Sequence, residues 1–332
     1  MPVPRRTFRA RFARSLLLII AAMPLLLGYT TARAEAAPAQ IAFGAYIPGA
    51  LWDATRIDAH RAMVGTAPAI VMWYQDWAHA DVNGFAFGSL DAVVARGAMP
   101  LVTWEPWDYT GGPDQPAYAL REIVAGSYDG YIRDWARDAA TWGKPFYLRF
   151  AHEMNGNWYP WSVGVNGNTA DDYVAAWRHV VTIFRQEGAT NARWVWCANV
   201  SYDGSTPFAQ VYPGDAWVDW VAIDGYNWGT SQSWSAWQSF AQVFKGSHDA
   251  LAALTTKPLM ISEVGSAEAG GNKANWITQG LQRDLARQMP RVRAVIWFNE
   301  NKETDWRVNS SAAALTAYRQ VAASSQFKGR LP

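Results

Sequence analysis

Two short stretches set a carboxylate where chemistry is the natural reading. "RFAHEMNGNWYPW", Arg149 to Trp161, packs a cation, a His–Glu pair, amides, a glycine and several aromatic rings together. "LMISEVGS", Leu259 to Ser266, carries its Glu where an apolar run gives way to small residues. Two facing carboxylates suit cleavage of a glycosidic bond: one protonates the departing oxygen, and the other attacks or stabilises the sugar cation. Separations of about 5–5.5 Å suit retention and about 6.5–9.5 Å inversion. Taken singly, either Glu also fits a helix cap or an Arg pair; the two on one face favour chemistry. The dipeptide His152–Glu153 invites a zinc reading, but a metalloprotease motif needs a second His four residues on, where this chain has Gly156. The five histidines, His60, His79, His152, His179 and His248, are scattered, so neither a metal site nor a cofactor is expected.

Positioning such a pair requires a scaffold, and the sequence outlines one. Eight apolar runs recur, at 41–49, 69–77, 99–107, 145–158, 192–200, 218–228, 257–266 and 293–301. Between them lie helix-compatible stretches such as "DDYVAAWRHVVTIFRQEG", 171–188, with Gly188 placed to end the helix. Near-continuous apolar runs alternating with helices predict parallel strands covered on both faces. Eight such units point to one α/β domain, a single (β/α)8 TIM barrel over 41–326. Polar and aromatic residues gather at the ends of these runs: Trp73, Asp76 and Trp77; Trp104, Glu105 and Trp107; Glu153 and Trp158; Asp224, Tyr226 and Trp228; Glu263; Trp297, Asn299 and Glu300. In a barrel these ends share the face where active sites are built. The plainer account, that aromatic residues simply favour strands, does not explain why the runs end alike.

Composition narrows the function classes. Half of the 332 residues are hydrophobic and 20 are Trp, enough for a large core and for flat faces that suit sugar rings. Residues 1–34 read as an export signal: a basic segment with Arg5, Arg6, Arg9, Arg11 and Arg14, then "SLLLIIAAMPLLLG", then small residues near Ala34 and Ala36. "RRTF" at 5–8 leaves both the general and the twin-arginine routes open. Losing that segment removes six Arg and no acid, leaving 23 basic and 28 acidic side chains and a net charge of −5. Such a balance is a poor footprint for nucleic acid or anionic membrane. One cysteine, Cys197, excludes an internal disulfide and reads as a buried thiol. A periplasmic or extracellular monomer, free of the membrane once the signal is removed, is the expectation.

"RFAHEMNGNWYPW" resembles the acid/base motif of glycoside hydrolase family 26, and "ISEVG" its nucleophile motif. "YPGDAWVDWVAIDGYN", 212–227, and "WFNENKETDWRV", 297–308, are also similar to family segments, and all four keep family order. The resemblance spans about residues 41 to 323. It implies a retaining β-glycanase on a (β/α)8 barrel, with Glu153 as acid/base and Glu263 as nucleophile. It further implies that His152 contacts the reacting sugar and that Tyr226 hydrogen-bonds the nucleophile. Glu153 then needs apolar and aromatic walls such as Trp158 to hold its proton, and Glu263 needs donors. Arg149, counted with the substrate-binding residues, fits equally a donor that favours the Glu263 anion and a structural ion-pair partner inside the barrel mouth. Trp297 is expected as the floor under the sugar, with Trp104 and Trp161 as flanking platforms. Lys302, Glu303 and Asp305 fit either sugar contacts or internal ion pairs. The expected polymer is β-1,4-mannan, with mixed-linkage β-1,3-1,4-glucan and then β-1,3-xylan behind it. From a different class, a non-catalytic polysaccharide-binding protein would keep the aromatic cleft but lose one of the two glutamates.

Overall fold

The computed structural model describes residues 1–2, 40–79 and 84–329; from position 3 onward the expected signal segment lies outside the described residues. The barrel strands and their helices form one compact unit, Pro38–Pro332. The strands are β1 (Ala42–Tyr46), β2 (Ile70–Asp76), β3 (Met99–Glu105), β4 (Phe146–Phe150), β5 (Ala192–Asn199), β6 (Trp220–Asn227), β7 (Leu259–Ser266) and β8 (Val292–Phe298). Every neighbouring pair is parallel, and β8 pairs with β1 to close the ring. The expected (β/α)8 barrel is therefore the observed one.

Side chains alternate across each strand, and here that alternation separates two cores. Ala42, Ile70, Met72, Leu101, Tyr147, Val195, Cys197, Ala222, Met260, Ala294 and Ile296 fill the barrel. Their neighbours, among them Val71, Val102, Leu148, Trp196, Ile223, Ile261 and Val295, face the helices in a larger outer cluster. β7 breaks the rule. Its register shifts against β6 between Ile223 and Asp224, and against β8 between Ile261 and Val264. A bulge adds a residue and re-aims its neighbours, and as a result Ser262 and Glu263 both bond to inward groups.

The helix Ala170–Gln186 starts with a capping box between Thr169 and Asp172, and Phe240–Leu254 starts with one between Ser239 and Gln242. Gly188 follows the first of these with φ +77, the left-handed conformation expected of it. The β5–β6 connection departs from the pattern, carrying only Phe208–Val211 and a 3-10 turn, Asp215–Trp217. Trp217 fills the gap, with the guanidinium carbons of Arg185 and Arg178 at 4.7 and 5.8 Å from its ring centre.

Candidate active site

Glu153 sits just past β4 and is 6% exposed, with φ +54. A left-handed conformation costs a non-glycine residue about 1–3 kcal/mol, and such strain gathers at functional sites. The backbone is held there by the Glu153 amide donating to the Cys197 carbonyl at 2.8 Å. Its carboxylate accepts from Trp158 Nε1 at 2.7 Å and from Asn199 Nδ2 at 2.8 Å. Asn155 sets Asn199 in place, accepting from its amide at 2.8 Å and donating to its carbonyl at 2.9 Å. Gly156 leaves the room this needs: a Cβ there would lie 2.6 Å from the Trp158 ring. Burial, then the charge of Glu263, push the Glu153 carboxyl up to about 7, against the two hydrogen bonds and Arg149.

Glu263, 5% exposed, stands among stronger donors. Its Oε1 accepts from Tyr74 at 2.6 Å and from Arg149 Nη2 at 2.5 Å, and its Oε2 accepts from the Tyr226 hydroxyl. A guanidinium and two phenols stabilise the negative carboxylate. Arg149 is fully buried and also donates to Asp224 at 2.7 Å and Thr103 at 2.9 Å. Asp224 in turn accepts from Ser262 at 2.7 Å. His152 is 1% exposed and lies 4.8 Å from the Tyr159 ring and 6.0 Å from Tyr74. Trp161 donates to the His152 carbonyl at 2.6 Å and stacks on Tyr159 at 4.4 Å.

Two glutamates in unlike settings at one barrel mouth agree with the comparisons. The profile of Glycosyl hydrolase family 26 matches residues 114–286. The chain belongs to glycosyl hydrolase family 26. It is 48% identical over 235 residues to Endoglucanase H of Acetivibrio thermocellus, covering 70% of this chain and 25% of that protein. It is 28% identical over 149 residues to a mannan endo-1,4-beta-mannosidase of Bacillus subtilis, covering 42% of this chain and 36% of that one. The chain thus spans between a quarter and about a third of these relatives' lengths. A family 26 beta-mannanase from Bacteroides ovatus shares the fold, with TM-score 0.63, 18% identity and coverage of 87% of this chain and 89% of that one.

Several expectations for this family 26 chain need correcting. Trp104 is fully buried and faces the helices, 4.9 Å from Trp135, with its Nε1 donating to Tyr131 at 3.1 Å. Trp297 is likewise fully buried, 5.4 Å from Tyr318, and donates to the Trp306 carbonyl at 2.9 Å. Neither can present a face to a sugar. Strand alternation places both outward, because Glu105 and Phe298, one residue on, take the inward positions. Arg149 is fully buried, and its guanidinium is taken up as the ion-pair partner of two carboxylates, Asp224 and Glu263. Trp161 is fully buried as well, so its role is to hold His152 rather than to flank the cleft.

Exposed rings lie elsewhere. Trp158 is 37% and Tyr202 43% exposed, 6.1 Å apart beside Glu153. On the β6 side Trp234, 70% exposed, packs 5.2 Å from Trp228. In the loop after β8, Lys302 pairs with Glu303 at 3.1 Å and Asp305 with Arg307 at 2.7 Å, the internal alternative. Tyr74 and Asn199 join the site without a motif to announce them. Each occupies an inward strand position near a glutamate, a signal that alternation carries only once the neighbouring strands are known. His152, Asp224 and Glu263 offer ligand atoms within 4.8 Å of one another, a spacing that could suit a metal. The Arg149 cation already bridges the two carboxylates, so this donor set is matched to a guanidinium.

Proposed function

We propose that this chain is a retaining endo-β-glycanase in which Glu153 is the acid/base and Glu263 the nucleophile. The observation that carries this reading is the unlike surroundings of two buried glutamates. One is pushed toward its protonated form and the other is ringed by a cation and two phenols. In the first step a Glu263 oxygen bonds to the anomeric carbon, and the glycosidic oxygen leaves with the Glu153 proton. Forming the glycosyl ester removes the Glu263 charge, which had helped keep Glu153 protonated, so Glu153, its proton already given to the leaving group, stays ionised and is available as the base. It then takes a proton from water, whose oxygen bonds to the anomeric carbon and displaces Glu263 with net retention.

For the sugar, we favour a β-glucan, because the relative at 48% identity over 70% of this chain is named an endoglucanase. The β-1,4-mannan expected from the sequence is the second reading, supported by a mannosidase at 28% identity over 42% of the chain. We also keep export through residues 1–34 as part of the proposal, checked by N-terminal sequencing of secreted protein. The functional test is reducing-sugar release by the processed protein from barley β-glucan, mannan, galactomannan, β-1,3-xylan and cellulose. NMR of the first-formed anomer runs alongside. Release from β-glucan as the β-anomer is expected. A first-formed α-anomer would overturn the retaining mechanism, and no release from any polymer would favour a binding protein instead.

A further inference from the structure

Glu105 ends β3 inside the barrel mouth at 5% exposure, beside His152 on the neighbouring strand's end. Nothing in the reaction above uses it. His152 Nδ1 is buried with no hydrogen-bond partner, an arrangement that is costly unless something completes it. The group facing it is Glu105, whose Oε1 lies 3.9 Å away. Direct hydrogen bonds run at about 2.7–3.2 Å, so a shift of roughly 1 Å closes this one. Contacts of this kind are often long in a free enzyme and tighten with substrate. The His152 ring itself has little freedom, being packed by Tyr159, Trp161 and Tyr74.

We propose that Glu105 is a positioning residue: its carboxyl group donates to His152 Nδ1 and thereby holds the imidazole in the tautomer that presents Nε2–H toward the sugar. The sugar contact rests on the functional reading above, whereas the tautomer does not. Protonation favours this arrangement. Burial pushes the Glu105 carboxyl up to about 8, despite the Trp107 indole N–H and Arg149. Burial, Arg149 and Lys302 push the His152 imidazole well down. A neutral acid meets a neutral ring, so the acid donates, Nδ1 accepts, and the single ring proton is left on Nε2.

The direct test is 15N NMR of the histidine side chains near pH 7, with the His152 signals assigned from a His152→Asn variant. Wild type is expected to show Nδ1 unprotonated and Nε2 protonated. Glu105→Gln keeps a donor, in its amide N–H, and should keep that tautomer. Glu105→Ala should lose it and drop kcat/KM on the order of 10- to 100-fold, with Glu105→Gln restoring most of the loss. An Nδ1–H tautomer in wild type, or a Gln variant no better than Ala in the spectrum, overturns the proposal. If wild type cleaves no polymer, the functional reading fails on its own, and the spectrum still decides the role of Glu105. Should Glu105→Ala not fold, the spectra of wild type and Glu105→Gln decide by themselves: Nδ1–H in either one overturns the proposal.

Discussion

Glu153 and Glu263 are the same residue, at 6% and 5% exposure, in the mouth of one barrel, yet their partners share little chemistry. Around Glu153 stand two neutral N–H donors, an indole and an amide, on a backbone held in the left-handed region. Around Glu263 stand a buried guanidinium and two phenols, on a strand whose bulge re-aims it inward. Burial, more than any neighbour, raises the Glu153 carboxyl; at Glu263 the difference lies in the charge and number of the donors. Position in the sequence motif names two glutamates, but the donor sets assign them different work.

Removing Glu263 should break the comparison most completely. Glu263→Ala is expected to lower kcat on the order of 10⁴-fold or more while polysaccharide binding persists; near-wild-type turnover would take the nucleophile role away from it. Next comes Glu153→Ala. It should cost about 10²–10⁴-fold on polymer and far less on aryl glycosides whose leaving groups need no proton. Equal losses on both substrates would contradict the acid assignment. Tyr226→Phe deletes one of the three donors to Glu263. A hydrogen bond to a charged group contributes about 1.5–3 kcal/mol, so kcat/KM should fall by roughly 10- to 100-fold, and an unchanged rate would mean that the other donors suffice.

Smaller effects sharpen the contrast. Because Glu153 must be protonated to act and its carboxyl lies near 7, kcat/KM should decline as pH rises through that value. The Trp158 hydrogen bond favours the anion. Trp158→Phe should therefore raise the pKa further and carry the alkaline limb to higher pH; a limb that stays put would show that the bond does not tune the acid. Finally, Trp104→Phe and Trp297→Phe should lower stability by about 0.5–3 kcal/mol and leave KM for polymer unchanged. A several-fold rise in KM from either would return it to the substrate side.

The barrel is legible in the sequence because its signal is local. Eight apolar runs with polar ends correspond to eight strands, and the expected helix with Gly188 behind it forms close to where its pattern places it. Trp104 and Trp297 mislead for a reason that is also local. An aromatic residue near a strand end suggests a sugar platform only while the face it takes is ignored, and the adjacent Glu105 and Phe298 alternate with these two. That the successive residues Ser262 and Glu263 both reach inward groups is not legible at all, since a period-two pattern cannot anticipate a bulge.

Sequence by itself therefore determined the eight strands of the barrel and the two glutamates at their ends, because apolar runs and chain punctuation are properties of neighbouring residues. Only the tertiary structure decided what each glutamate meets. Tyr74 reaches Glu263 across 189 residues of chain, Arg149 across 114, and Asn199 reaches Glu153 across 46. Those encounters depend on barrel closure and strand register, and they give the two carboxylates their different partners.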